Sequence, residues 1–244
     1  MNTEQLTDKL TSWIGDQVIT TRCQGVVVGM SGGIDSSVLA VLCQRACPQN
    51  TLGIIMPCYS SPLDEKHALA VASKFSIPTR IVVLDAVFDA LLQTLPDEEI
   101  EPATNRLAQA NLKVRLRMLT LYYFANRMHH IVAGSGNRSE ILIGYFTKYG
   151  DGGVDILPLG NLVKGEVKEL AIYLGIPPEI IHKPASAGLW YGQTDEAELG
   201  LSYVEIDHYL QTGKASHEAR SKIKSMIASG KHKHQPPPIA GLKG

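Results

Sequence analysis

The most constraining feature of this sequence is a glycine-rich loop that separates an apolar segment from an apolar helical pattern. Residues 29–37 read Gly-Met-Ser-Gly-Gly-Ile-Asp-Ser-Ser, after the apolar run 25–28 and before the apolar run 38–47. This order predicts a strand, a turn and the N-terminus of a buried helix. Amide N–H groups at such a turn converge on one point, and the helix dipole adds partial positive charge there. We therefore expect the loop to bind a phosphate chain.

A carboxylate in the loop adds a second constraint. Asp35 would repel a polyphosphate unless a cation lay between them, so the loop implies bound Mg²⁺. The loop contains no Gly-Lys-[Ser/Thr] and its glycine spacing differs from G-x-G-x-x-G, which excludes the two common nucleotide-binding loops. The alternative is an ordinary strand–helix turn in which Asp35 or Ser36 caps the helix.

The composition narrows the class of protein. The 244 residues, of which 44% are hydrophobic, fit one α/β domain with a sizeable core. A net charge of -1 gives no electrostatic case for nucleic acid as a partner. We expect no membrane segment, because no run of about 18 apolar residues occurs, and no signal peptide, because residues 1–16 are polar. Four scattered cysteines without a C-x-x-C pair favour reduced thiols and a cytoplasmic location.

Helix and strand patterns alternate along the chain. Strands are predicted at residues 25–29, 51–56, 79–84 and 130–133, and helices at 3–20, 35–47, 63–75, 87–95, 105–127, 164–174, 203–210 and 215–229. We therefore expect residues 1–244 to form a single α/β domain, a doubly wound parallel sheet with helices on both faces, ending in a flexible tail at 231–244. Ligands bind beyond the carboxyl ends of such strands, which places segments 29–35, 57–61 and 134–140 on one rim.

Charged residues elsewhere are candidates for the same site. Glu140 is a candidate second metal ligand opposite Asp35, although Asn137-x-x-Glu140 also fits a capping box. Arg115 lies in the long apolar helix, whose apolarity suits a subunit interface and whose arginines can reach an anionic ligand. Segment 146–155 is dense in glycine and charge, which is typical of an exposed loop or of a mobile lid.

Taken together, these segments resemble the ammonia-dependent NAD⁺ synthetases of the PP-loop ATP pyrophosphatase superfamily. The matching segments are 29–37, 111–118, 134–140, 144–155 and 183–200. The most specific are Phe-Thr-Lys-Tyr-Gly-Asp-Gly-Gly at 146–153 and Leu-Trp-x-Gly-Gln-Thr-Asp-Glu at 189–196. The resemblance implies an adenine nucleotide α hydrolase-like fold and a homodimer with the dinucleotide site at its interface.

The resemblance also implies a reaction, that of a ligase forming a C–N bond. ATP adenylates the nicotinate carboxylate of deamido-NAD⁺ and releases pyrophosphate, and ammonia then displaces AMP to give NAD⁺. No glutaminase domain fits in this length, so ammonia rather than glutamine is the expected nitrogen source.

Residue roles follow by motif position. The resemblance implies catalytic roles for Asp35, Glu140 and Lys164, and a Mg²⁺ site formed by Asp35 and Glu140. The implied ATP contacts are Gly29, Met30, Ser31, Gly32, Gly33, Ile34, Asp35, Ser36, Ser135, Lys164 and Ser186. The implied deamido-NAD⁺ contacts are Arg115, Lys148, Asp155, His232 and Lys233. Two positions depart from the family pattern: fewer basic residues follow Lys233, and Ser186 stands where threonine is common.

Two other functions stay open at this point. Another PP-loop enzyme that amidates or thiolates a nucleotide or a tRNA would share the loop. Thiolation needs a catalytic cysteine near the rim, where Cys58 is the sole candidate, and the net charge argues against tRNA. A nucleotide-binding signalling module would share the fold, but it would not need metal ligands, a lid and a substrate arginine together.

Overall fold

A four-stranded parallel sheet forms the centre of the computed structural model, which describes residues 1–96, 101–190 and 192–241. The strands are β1 (Gly25–Gly29), β2 (Thr51–Ile55), β3 (Thr79–Ile81) and β4 (His130–Ala133), in the order β3-β2-β1-β4. All three pairings are parallel, so the carboxyl ends of the strands share one edge. The predicted parallel α/β fold is confirmed.

Helices cover both faces of the sheet. In chain order they are α1 (Thr3–Thr20), α2 (Ile34–Ala46), α3 (Pro62–Lys74), α4 (Asp85–Thr94), α5 (Pro102–Met128), α6 (Arg138–Ile143), α7 (Lys164–Leu174), α8 (Pro178–Ile181), α9 (Asp195–Leu199), α10 (Tyr203–Thr212) and α11 (His217–Gly230). The first three pack with α7 and α8 on one face, and α4 and α5 cover the other. No helix of the described residues is long and apolar enough to cross a membrane.

Successive side chains of β1 point to opposite faces of the sheet and so contribute to two separate hydrophobic cores. Val26 and Val28 pack among the helices of the α2 face, whereas Val27 packs under α4 and α5. Helix α2 is buried from Ser36 to Cys43, because the sheet lies on one side of it and neighbouring helices lie on the other. The strand and helix that flank the glycine loop are therefore held rigidly.

A small third core lies where α6, α9, α10 and α11 meet around Ile143, Leu199 and Ile206. The ends of α6 and α11 touch through two glycines. A Cβ on Gly144 would lie 2.7 Å from Gly230 Cα, and one on Gly230 would lie 2.8 Å from Gly144 Cα. This contact fixes the point from which the C-terminal tail leaves the fold.

Element boundaries differ from the sequence prediction at a few places. Helix α5 begins three residues earlier than predicted, at Pro102, because Glu101 caps the amide of Thr104 and proline suits the first turn. The short helices α6, α8 and α9 are absent from the predicted set, since each is too short to show a helical period. The tail contains one 3₁₀ turn, Lys231–Lys233. Residues 242–244 of the predicted tail and 97–100 of a predicted loop lie outside the described residues.

Candidate functional site

The carboxyl ends of the central strands open into one cavity of about 440 Å³. The glycine loop lines it, together with residues that follow β2 and β4 and the segment 183–190. The three rim segments predicted from the sequence therefore meet at a single cavity.

The glycine loop leaves the first turn of α2 open to this cavity. Gly33 is the N-cap of α2, and no described side chain caps it. Ser36 Oγ instead accepts from the amide of Ser31 at 3.2 Å and donates to the carbonyl of Gly33 at 3.1 Å. The alternative interpretation, in which Asp35 or Ser36 caps the helix, is therefore wrong. The open amides and the helix dipole favour an anion at this point.

Gly32 allows the loop to pass close to α3. Its φ is +75°, and a Cβ there would lie 2.1 Å from the carbonyl oxygen of Asp64. Any side chain at residue 32 would both strain the backbone and collide with the first turn of α3. The loop shape thus depends on glycine at this position.

Asp35, Glu140 and Lys164 form the charged centre of the cavity. Lys164 Nζ lies 2.5 Å from Asp35 Oδ2 and 3.2 Å from Glu140 Oε1. Asn137 Nδ2 donates to Asp35 Oδ1 at 2.9 Å. The fold brings the three side chains together from α2, α6 and α7, which are far apart in sequence.

Glu140 forms the capping box considered for it and also faces the cavity. Its Oε2 accepts from the amide of Asn137, and Asn137 Oδ1 accepts from the amide of Glu140, which completes a capping box at the start of α6. Its Oε1 faces Lys164 and Tyr203. The capping box therefore orients the carboxylate and leaves one oxygen for the cavity.

The cluster alters the protonation of its members. Burial raises the pKa of Glu140 to about 7; the Lys164 ammonium opposes this shift, and the Asp35 and Asp195 carboxylates add to it. Burial alone would lower the pKa of Lys164, but Asp35 and Glu140 outweigh burial and hold that pKa above its ordinary value. Lys164 is therefore an ammonium at neutral pH.

The oxygen atoms of this cluster suit a magnesium ion. Asp35 and Glu140 already converge on one cationic atom, Lys164 Nζ. Mg²⁺ at nucleotide sites is held by one or two carboxylates together with phosphates and water. Asp35 and Glu140 are therefore the side chains suited to hold it.

Further polar groups surround the cluster, of which Tyr203 and Asp195 are buried. Tyr203 Oη lies 3.3 Å from Glu140 Oε1 and 2.9 Å from Asp195 Oδ2. Tyr145 Oη lies 3.2 Å from Asp195 Oδ1 and 2.9 Å from Glu198 Oε2. Burial raises the pKa of Asp195. None of these residues was predicted as a site residue, although the resemblance included the segment that carries Asp195 and Glu198.

Two cationic residues that were not predicted as site residues also line the cavity. Arg117 donates to Ser60 Oγ at 3.1 Å and so ties α5 to the segment after β2. Lys183 forms an ion pair with Asp64. Because Asp64 lies in α3, this pair fastens the segment 183–190 across the cavity.

Nearly all residues predicted to bind ATP line the cavity. They are Gly29, Met30, Ser31, Gly33, Ile34, Asp35, Ser36, Ser135, Lys164 and Ser186. Gly32 belongs to the same loop but faces α3. Their contacts with ATP stay a prediction.

The residues predicted to bind the dinucleotide are more dispersed. Lys233 lines the cavity and donates to the carbonyl of Gly144 at 2.7 Å. The others, among the described residues, lie outside the cavity lining: Arg115, Lys148, Asp155 and His232. Their role stays a prediction.

Those outer residues contact the tail and α5. Lys148 Nζ donates to the carbonyl of His232 at 2.7 Å, and Arg115 donates to the carbonyl of Lys148 at 3.3 Å. Asp155 accepts from Tyr122 Oη at 2.9 Å and from a β4 amide at 2.8 Å. Asp155 therefore helps to join α5 to the sheet.

Proteins similar to this chain include NAD synthetases. The family model for NAD synthase matches residues 6–237. The NH(3)-dependent NAD(+) synthetase of Carboxydothermus hydrogenoformans is 49% identical over 243 residues, which cover 99% of this chain and 99% of that relative. The structure of NMN synthetase from Francisella tularensis has a TM-score of 0.92 and 34% identity, covering 99% of this chain and 100% of its own. The NH3-dependent NAD synthetase from Campylobacter jejuni has a TM-score of 0.83 and 27% identity, and the match covers 99% of this chain and 100% of that one.

Proposed function

Because the chain belongs to the NAD synthase family, we propose that its cavity catalyses ATP-dependent amidation of deamido-NAD⁺ by ammonia, giving NAD⁺, AMP and pyrophosphate. The observation that carries this proposal is the convergence of Asp35, Glu140 and Lys164 beside an uncapped helix N-terminus. Transfer of an adenylyl group requires charge stabilisation on phosphate oxygens in a fixed geometry, and such a site supplies it.

In the first half-reaction, a carboxylate oxygen of the nicotinate ring attacks the α-phosphorus of ATP, and pyrophosphate leaves. The open amides of α2 and the Lys164 ammonium stabilise the negative charge on the leaving phosphates. Asp35 and Glu140 would hold Mg²⁺, which supplies further charge neutralisation when bound. Segment 183–190 brings Ser186 to the nucleotide and shields the phosphates from water.

In the second half-reaction, ammonia attacks the adenylated carbonyl carbon, and AMP leaves. The new C–N bond replaces the C–O bond to AMP, and one proton leaves the nitrogen. Asp151 lines the cavity, and burial raises the pKa of its carboxylate, so it is suited to accept that proton.

We infer that the dinucleotide reaches from the cavity to the surface beside α5. Lys233 faces the cavity, and Arg115 and Lys148 place positive charge on the adjoining surface. Two cationic groups there suit the pyrophosphate of a dinucleotide.

We also propose that α4 and α5 form the interface of a homodimer. An apolar hollow on these helices is lined by exposed side chains, including Val87 (50% exposed), Leu119 (59%) and Tyr123 (54%). A contiguous apolar patch of this kind is typical of a protein interface. A second copy there would bring its own α5 beside Arg115.

Leu119→Asp is expected to raise the dissociation constant of this dimer about 100-fold, because it buries a charge at the centre of the apolar patch. Sedimentation velocity over a concentration series measures the change. Ile172→Asp is the matched control, since Ile172 is 61% exposed on α7, on the opposite face of the sheet. A monomeric parent chain, or equal dissociation of both variants, would refute the interface.

The proposed reaction has a direct assay. With deamido-NAD⁺, ATP, ammonium and Mg²⁺, the protein is expected to form NAD⁺, AMP and pyrophosphate in equal amounts, and chelation of the metal is expected to stop the reaction. Glutamine is expected to replace ammonium poorly, because two of the three relatives reported above are named as NH3-dependent synthetases. Release of ADP and phosphate, or absence of product at saturating ammonium, would overturn the proposal.

A second candidate product is NMN, which the similarity to the Francisella tularensis NMN synthetase favours. The same assay distinguishes the two products when it is repeated with nicotinate mononucleotide in place of deamido-NAD⁺ as the acceptor of the adenylyl group. We expect kcat/KM to be higher for the dinucleotide, since the cationic groups beside α5 have no partner on a mononucleotide that stays within the cavity.

A further inference from the structure

Asp207 is a buried carboxylate that the mechanism above does not use. It lies in α10, on the small third core, and is 9% exposed. Within the described ranges, no lysine or arginine pairs with it. A buried carboxylate without a cationic partner is costly unless its oxygens accept hydrogen bonds.

Both oxygens of Asp207 accept hydrogen bonds from elements of the active site. Ser139 Oγ in α6 donates to Oδ1 at 2.5 Å, and the amide of Gly165 in α7 donates to Oδ2 at 2.8 Å. Ser139 Oγ in turn accepts from the amide of Lys164 at 3.1 Å. One carboxylate therefore engages the first two amides of α7, one of them directly and the other through Ser139.

This arrangement joins the backbones that carry two catalytic side chains. Ser139 precedes Glu140 in α6, and the Lys164 amide begins α7. The 3.2 Å separation of Lys164 Nζ and Glu140 Oε1 is set by how these two helix starts are placed. Alone, the start of α7 has only a valine at its N-cap, which offers no side-chain oxygen.

We propose that Asp207 is a positioning residue for the adenylation step. It clamps the start of α7 to α6 and thereby fixes Lys164 against Glu140 and Asp35. This inference rests on the proposed function, because it concerns the half-reaction that releases pyrophosphate. Catalytic groups displaced by about 1 Å can lose about 100-fold in rate, so a clamp outside the cavity can control the chemistry inside it.

Asp207→Asn is the sharpest test, because it keeps the shape and removes one acceptor. If the asparagine oxygen faces Ser139, its amide nitrogen faces the N–H of Gly165, which is also a donor. If the oxygen faces Gly165 instead, the hydroxyl proton of Ser139 loses its acceptor. We expect kcat for pyrophosphate release to fall about 10- to 100-fold and KM for ATP to rise. KM for ammonium should not rise, since ammonia acts only after the adenylate has formed and slower adenylation lowers its apparent value.

Thr51→Val is the matched control for loss of buried hydrogen bonds. Thr51 is 3% exposed, and its Oγ1 donates to carbonyls at the end of α2, at the opposite edge of the sheet from the cavity. Both variants should lose comparable thermal stability, but Thr51→Val should keep kcat and both KM values within about twofold. Lower stability alone would reduce the amount of active enzyme and would leave KM for ATP unchanged.

Ser139→Ala provides a second route to the same test if Asp207→Asn does not fold. It removes the bridge to the Lys164 amide and should change KM for ATP in the same direction. The double variant should lose less than the sum of the two single losses in free energy, because both act through one clamp. An active parent enzyme together with an Asp207→Asn variant that behaves like Thr51→Val would overturn the inference. An inactive parent enzyme would instead refute the proposed function.

Discussion

Asp35→Asn is expected to lower the rate of pyrophosphate release by about 10³-fold while the chain stays folded. Asp35 lies at the end of the glycine loop and contacts both Lys164 and Asn137. The asparagine keeps the oxygen that accepts from Asn137, so the local geometry is retained. The lost charge removes one of two carboxylates suited to Mg²⁺ and weakens the attraction that orients Lys164.

The measurement is a single-turnover assay of pyrophosphate release, with thermal unfolding followed in parallel. The melting temperature should change by less than about 3 °C. Asp16→Asn is the matched control, since Asp16 is an exposed aspartate on α1. Full activity of Asp35→Asn would remove Asp35 from the catalytic centre, and loss of folded protein would reassign it to structure.

Gly32→Ala is expected to destabilise the protein and to abolish ATP binding together. The added Cβ would lie 2.1 Å from the carbonyl oxygen of Asp64, at a φ of +75° that already disfavours any side chain. The backbone has to move to relieve this contact, either in the glycine loop or at the start of α3. We expect a loss of about 3 kcal/mol in the free energy of unfolding, which corresponds to about 6–12 °C in melting temperature.

Calorimetry of unfolding and of ATP binding measures the two effects. Gly15→Ala is the matched control, because nothing lies within 4 Å of a Cβ at Gly15 in α1 and alanine favours the helix. It should stabilise the chain slightly and leave ATP binding intact. A Gly32→Ala variant that melts like the parent and binds ATP normally would show that the loop tolerates another path.

The sequence predicted those parts of the fold that depend on residues close together in the chain. The glycine loop, the strands beside it and the rim they share follow from apolar runs and turn residues, and β1 and α7 have the predicted bounds. The capping box that begins with Asn137 was also predictable, because its two residues are three positions apart in the sequence.

Contacts between distant segments were not predictable in this way. The need for glycine at residue 32 comes from Asp64, in a helix beyond the next strand. The hydroxyl of Tyr203 reaches Glu140 from α10, more than 60 residues away in the chain. Nothing in the spacing of these residues indicates that they meet, since the packing of the third core brings them together. Lys164 was assigned by resemblance alone for the same reason.

The position of Lys164 between two carboxylates has a consequence for the order in which ligands arrive. Its ammonium is an internal counterion, so Asp35 and Glu140 do not face each other without a cation. A bare divalent ion would have to displace a tethered charge, whereas ATP brings phosphates that give Lys164 a new partner. We therefore expect exchange of counterions to be easiest when nucleotide and metal enter together, so that the cavity selects the metal–nucleotide complex over free metal.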